Sequence, residues 1–202
     1  NQRKEDNSFR NLMQLSSGVD FVSNDYLGFS KKEVIQEKAL ELLGKNHFKN
    51  GSTGARLLSG NHPLHELVET QLANFHKTEA ALLFNSGYDA NIGLFSAILQ
   101  KGATIFYDEL IHASIRDGIR LSHAKAFKFK HNSLEDLRKK RNKASGTVFI
   151  AVESVYSMDG DSAPLKELVD FSIENNCFLI VDEAHSNGVF GENGSGMLQD
   201  LH

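Results

Sequence analysis

Several short polar clusters in this chain of 202 residues carry side chains able to do chemistry, and each adjoins an apolar run. The clearest is Asp182-Glu183-Ala184-His185, which ends the run Phe178-Leu-Ile-Val181. Such a run reads as a strand buried on both faces, as in a parallel sheet covered by helices. Ligands of open α/β sheets sit just beyond the carboxyl ends of the strands, so Asp182 and His185 stand where a site belongs. A carboxylate there needs a cationic or hydrogen-bonding partner, because an unpaired buried charge is costly. Asn85-Ser86-Gly87-Tyr88 falls between a strand and a helix. Helix N-terminal N–H groups make an anion site, and glycine lets a ligand approach, although one glycine equally serves a tight turn. His112, in Leu110-Ile-His-Ala-Ser114, opens a further helix. A lone histidine there is most often a cap or packing residue. Its interest is its place on the sheet edge that also carries Gly87, Ser157 and Asp182.

Other chemistries fit less well. An apolar strand followed by Asp-Glu-Ala-His also describes a Walker B box, but that machinery needs an upstream G-x-x-x-x-G-K-[ST] loop. The loop Gly51 to Gly60 has no lysine, and Gly44-Lys45 is followed by Asn46. No cysteine–histidine cluster has zinc spacing, and no G-x-S-x-G elbow marks a hydrolase. His47, His62, His65 and His76 read as surface or cap residues, and no metal site is expected.

The elements that must position these residues alternate. Lys31 to Leu43 has helical periodicity and stops at Gly44; a helix follows from Pro63, which suits a first turn. Strands are expected at Ala80 to Phe84, Ala103 to Tyr107, Lys125 to Phe129, Thr147 to Val152 and Phe178 onward. Helices are expected at Asn91 to Leu99, His112 to Leu121, after a Ser133 cap, and from Pro164 to Asn175. This order predicts an α/β domain with a three-layer, doubly wound, mostly parallel sheet. Residues 1–50 read as an N-terminal arm and helix, and 51–202 as the large domain.

The bulk numbers narrow the partners. The chain has 40% hydrophobic and 24% charged residues and a net charge of -4, with no basic footprint for nucleic acid or an anionic membrane. The cluster Arg138-Lys-Lys-Arg141 reads as the solvated end of a helix. No apolar run reaches the roughly 20 residues needed to span a bilayer. The single cysteine, Cys177, precludes an intrachain disulfide and reads as a buried core thiol in a reducing cytoplasm.

Six motifs taken in order then resemble one family. They are Ser23-Asn-Asp-Tyr-Leu-Gly28, Gly51-Ser-Thr-Gly-Ala-Arg56 with Ser59-Gly60, Phe84-Asn-Ser-Gly-Tyr88, His112-Ala-Ser114, Ser157-Met-Asp-Gly-Asp161 and Val181-Asp-Glu-Ala-His185. Each is weak alone; together they are similar to the α-oxoamine synthases, pyridoxal-phosphate enzymes of the aspartate aminotransferase fold (fold type I). The resemblance implies an enzyme that joins an amino acid to an acyl-coenzyme A, as a homodimer with the active site at the interface. It implies that Asp182 keeps the pyridine nitrogen protonated, which makes the ring an electron sink. It also implies that His112 stacks on that ring, that Gly87 and Tyr88 offer backbone N–H groups to the phosphate, that Ser86 belongs to the cofactor-binding set, and that Ser157 and His185 hydrogen-bond the cofactor. Asn24, the Gly51 loop and Arg10 resemble substrate-pocket segments. The family's Schiff-base lysine falls past His202, and the last lysine here is Lys166. The 202 residues alone are therefore expected to be inactive. The reading from a different class is a non-catalytic cofactor-binding or dimerisation module.

Overall fold

Alternating apolar runs and amphipathic stretches build a parallel sheet with helices on both faces. The computed structural model describes residues 2–6, 9, 18–46 and 50–201. They form two units, Asn1–Lys32 and Glu33–His202. The first holds a short helix α1 (Gln2–Glu5) and a loop folded on two aspartates. Asp20 Oδ1 accepts the N–H groups of Val22 and Ser23 at 2.9 and 3.0 Å, and Asp25 Oδ2 accepts the Ser30 hydroxyl at 2.5 Å. Gly28 closes the turn with φ 65°, a conformation that favours glycine. Asn24 is exposed in this loop. Arg10 lies outside the described residues.

The second unit begins with α2 (Glu33–Asn46) and α3 (Pro63–Phe75), followed by α4 (Gly87–Ile98). Then come β1 (Thr104–Asp108), α5 (Ala113–Leu121), β2 (Lys125–Phe129) and α6 (Leu134–Arg141). The unit continues through β3 (Val148–Glu153), α7 (Leu165–Glu174) and β4 (Phe178–Asp182). The strands are parallel in the order β2-β1-β3-β4. Period-2 alternation sends Ile105, Phe149 and Ala151 to one face, where Phe95 of α4, Leu99 just after it, and Ile115 and Ile119 of α5 cover them. Phe106, Val148, Ile150 and Val152 face the other way, against Leu137, Leu168 and Phe171 of α6 and α7. This is the doubly wound, three-layer arrangement expected. Each such valine, leucine, isoleucine or phenylalanine, taken from water, contributes about 1.5–3 kcal/mol.

Several expectations are corrected. Ala80 to Phe84 forms no strand, and Leu82 is 65% exposed. The Leu83 N–H donates to the Glu69 carboxylate at 2.8 Å rather than to a sheet partner, so an apolar run alone did not secure pairing. α2 does not stop at Gly44 but runs to Asn46, since one glycine costs a helix only about 1 kcal/mol. α4 begins at Gly87, not Asn91. β4 is not buried on both faces: it pairs only with β3 among the described strands, and Phe178 is 61% exposed. The fully buried strand is β3. Cys177 is half-buried beside the core rather than inside it.

Candidate cofactor site

At the carboxyl edge of the sheet the strands end in acids: Asp108 on β1, Glu153 on β3 and Asp182 on β4. Glu153 and Asp182 are register neighbours. Asp182 is partly buried and held from two sides. Asn91 Nδ2, from the second turn of α4, donates to its Oδ2 at 2.8 Å, and the Ala184 N–H donates to its Oδ1 at 2.9 Å. The same Asn91 amide donates to Ser114 Oγ at 3.0 Å, which links α4, α5 and β4. The link needs close helices. A Cβ on Gly118 would lie 2.8 Å from the Asn91 carbonyl oxygen and 2.9 Å from Phe95 Cβ, so glycine lets α5 approach α4.

Ser86 caps α4, its hydroxyl accepting the Asp89 N–H at 3.1 Å. Because α4 begins at Gly87, the N–H groups of Gly87 and Tyr88 belong to the first turn, which has no intrahelical acceptor. A Cβ built on Gly87 meets nothing within 4 Å, so the approach to this helix end is open. The Tyr88 hydroxyl donates to Asp117 Oδ2 at 2.6 Å, and its ring meets the His112 ring edge-on at 6.4 Å. His112 is the cap of α5: its Nδ1 accepts the Ser114 N–H at 3.2 Å and lies 2.7 Å from Ser114 Oγ. The capping role is therefore real, while the remainder of the exposed ring faces the edge shared with Tyr88.

Ser157 is exposed on the loop after β3. The backbone N–H groups of Ser157 and His112 both favour the ionised form of the Glu153 carboxylate. Glu153 is 3% exposed and its Oε1 has no partner. Burial, then the Asp182 carboxylate, pushes its carboxyl up to about 7. His185 is half-buried in the turn after Asp182. Glu183, between them, is structural: its Oε1 accepts the N–H groups of Met197 and Leu198 at 2.6 and 3.2 Å. Arg56, in the glycine-rich loop, is likewise committed, pairing with both oxygens of Glu69 at 2.5 and 3.0 Å. The edge thus gathers Ser86, Gly87, Tyr88, His112, Ser157 and Asp182.

Three contributors escaped the sequence reading. Asn91 was placed in a helix without a role. Glu153 follows the expected strand Thr147 to Val152 and carries no motif of its own. The Asp108–His131 pair joins residues 23 apart that no spacing rule connects. Among the described residues, no group of three His, Cys, Asp or Glu could hold a metal ion. No described helix is long and apolar enough to cross a membrane.

An open, doubly wound parallel sheet with an acid at one strand mouth and a bare helix N-terminus beside it defines a class of α/β proteins that take anionic cofactors. Residues 16–199 match the model of the aminotransferase class I and II family, and the chain belongs to that family. It is 44% identical to the 8-amino-7-oxononanoate synthase of Emericella nidulans, over 99% of this chain and 53% of that protein. Among solved structures, Sphingomonas wittichii serine palmitoyltransferase superposes with a TM-score of 0.82 at 38% identity, covering 89% of this chain and 45% of that one. A high-resolution structure of SPT with PLP gives 0.80 at 39%, over 86% and 44%. The fold is that of these pyridoxal-phosphate enzymes. The chain spans about half the length of the curated relatives it matches.

Proposed function

We propose that this chain is the cofactor-holding part of a pyridoxal-phosphate-dependent acyltransferase, an α-oxoamine synthase. Its proposed reaction condenses L-alanine with a pimeloyl thioester, with loss of CO₂, as an 8-amino-7-oxononanoate synthase of biotin synthesis. The observation that carries the reading is Asp182, a carboxylate oriented by Asn91 and the Ala184 N–H on the edge that also carries the open N-terminus of α4. The residues suit the group. Asp182 would hold a proton on the ring nitrogen, and the Gly87 and Tyr88 N–H groups would bind the phosphate. The His112 ring would lie on the cofactor face, and Ser157 and His185 would hydrogen-bond its polar rim. When bound, the cofactor supplies an electron sink for the α-carbon of the amino acid. Asn24 and Arg10 are proposed to contact substrate. The nearly fully exposed Leu57 and Leu58, in the Gly51 to Gly60 loop, support burial against a second copy as a homodimer. A cytoplasmic location fits the unpaired Cys177.

The substrate test is coenzyme A release by the full-length protein, compared across four pairs. These are alanine with a pimeloyl thioester, glycine with acetyl-CoA, glycine with succinyl-CoA, and serine with palmitoyl-CoA. The first should have the highest kcat/KM. A win for another pair would reassign the chain to glycine C-acetyltransferase, 5-aminolevulinate synthase or serine palmitoyltransferase. Cofactor binding without any turnover would favour the non-catalytic module. The His112 role is separable from its cap. His112→Asn retains a capping acceptor but removes the ring, so cofactor affinity should fall while Tm holds. Unchanged affinity would leave His112 a cap only.

A further inference from the structure

Beside this edge lies a cluster the proposed chemistry does not use. His131, in the turn just after β2, stands between two carboxylates: its Nδ1 is 2.9 Å from Asp108 Oδ1 and its Nε2 is 2.7 Å from Asp161 Oδ2. A neutral imidazole carries one N–H, so one of these contacts would then set a lone pair against a carboxylate oxygen. Only the imidazolium donates in both directions. Asn132 reinforces the bridge, its N–H donating to Asp108 Oδ2 at 2.8 Å and its Nδ2 to Asp161 Oδ2 at 2.8 Å and the Ser162 carbonyl at 3.1 Å. It does so from φ 52°, a left-handed conformation that asparagine adopts more readily than other non-glycine residues.

The two acids belong to the two loops that matter. Asp108 ends β1 and accepts the Leu110 N–H at 2.9 Å, four residues before His112. Asp161 lies in the loop of Ser157, closed by the Tyr156 N–H on the Asp161 carbonyl at 2.9 Å and by a bridge between Val155 and Ser162. We propose that His131 is a positioning residue of the cofactor site. As an imidazolium held between Asp108 and Asp161, it fixes the Ser157 loop to the strand end that leads to His112. The consequence for the cofactor rests on the reading of this edge given above; the clamp itself does not.

The charged and titratable groups around His131 are acidic on both sides. Asp108 and Glu109 face it from the end of β1, Glu109 accepting the His131 N–H at 3.1 Å. Asp161 and the Tyr156 ring, edge-on at 4.5 Å, face it from the loop after β3, with Glu153 beyond. On its own side Lys130 donates its N–H to Asp136 of α6. Burial lowers the imidazole's proton affinity, but the hydrogen bonds to Asp108 and Asp161 outweigh it and leave the pKa raised. A raised value means the clamp is complete below the ordinary histidine range and is lost as pH rises through the folded-state value.

The experiment compares the full-length wild type with His131→Gln, which keeps size and one amide donor but cannot be a cation. Pyridoxal phosphate affinity is read by absorbance titration at about pH 6.5 and about pH 9. The variant should bind about tenfold more weakly at the lower pH, and the difference should close at the higher one. A ratio that is flat across pH, or no weakening, overturns the proposal. Hydrogen exchange without cofactor is read alongside. Residues 108–114 and 154–163 should exchange faster together in the variant, whereas acceleration confined to 130–132 sinks the clamp. Wild type that binds no pyridoxal phosphate would refute the cofactor reading and leave the clamp to be judged by exchange. Should His131→Gln fail to fold, Asp161→Asn removes only the outer arm and must show the same pH-dependent loss.

Discussion

Asp108 and Asp182 end two strands of one sheet edge with β3 between them, yet their surroundings differ in kind. Asp108 is fully buried and occupied on both oxygens, by the Leu110 N–H, His131 and the Asn132 N–H. Asp182 is only partly buried and takes one donor on each oxygen, from Asn91 and Ala184. A carboxylate accepts about four hydrogen bonds, so the first is close to used up by the protein and the second is not. A saturated acid fixes loops; an oriented acid with capacity left can serve a ligand. The contrast follows from topology, since β1 is flanked by β2 and β3 whereas β4 pairs only with β3 among the described strands.

The comparison breaks most directly by deleting each acid. Asp108→Ala leaves the Leu110 and Asn132 N–H groups and the His131 cation without their buried partner. The expected loss of folding stability is about 3–5 kcal/mol, read by urea denaturation. A cost under about 1 kcal/mol would show that water replaces the carboxylate and that the saturation has no consequence. Asp182→Ala should do the opposite. Stability should change little, while turnover of the full-length enzyme falls by at least about two orders of magnitude. Near-normal turnover would refute the proposed place of Asp182 at the ring nitrogen.

Glu153 lies between them and shares neither solution. Its carboxyl, raised to about 7 by burial and by Asp182, holds a proton in the folded state that the unfolded chain releases from 4.5 upward. Stability from this group is present below 4.5 and lost as pH rises to about 7. Glu153→Gln makes the neutral form permanent. The variant should match wild type near pH 4 and exceed it near pH 8 by about 1–3 kcal/mol. An equal difference at both pH values would mean that Glu153 is ionised and paired.

The sequence made much of this edge legible, and the reasons for success and failure are physical. Apolar runs bounded by turn residues marked β1, β3 and β4, because strands covered by helices need apolar side chains. Asp182 and His112 were findable from their place just past a strand. Ala80 to Phe84 misled because an apolar run states a need for cover, not a pairing partner. β4 was over-read as buried for the same reason. Asn91 and His131 were invisible because their partners, Asp182 and Asp108, lie 91 and 23 residues away in the chain. Only the folded register brings them together.

The finest test of the comparison therefore falls on Asn91. If Asp182 has capacity to spare, losing one protein donor should be tolerated, whereas the same loss at Asp108 should not. Asn91→Ala removes the donor to Asp182 Oδ2 and the link to Ser114 Oγ, but leaves the Ala184 N–H on Oδ1. The expected stability cost is about 1 kcal/mol, the net worth of an ordinary hydrogen bond, read by denaturation. Cofactor affinity should fall by less than in Asp182→Ala, because the carboxylate survives and only its aim is loosened. Asn91→Asp is the sharper variant, because it keeps the shape and sets a second carboxylate against the first. Like charges at this separation raise each other's proton affinity, so Asp182 would keep a proton to higher pH, and cofactor binding should be weakest at low pH and recover as pH rises. Equal affinity for Asn91→Ala and wild type would show that the Ala184 N–H alone orients Asp182. A stability cost in Asn91→Ala as large as that of Asp108→Ala would erase the distinction between the two acids.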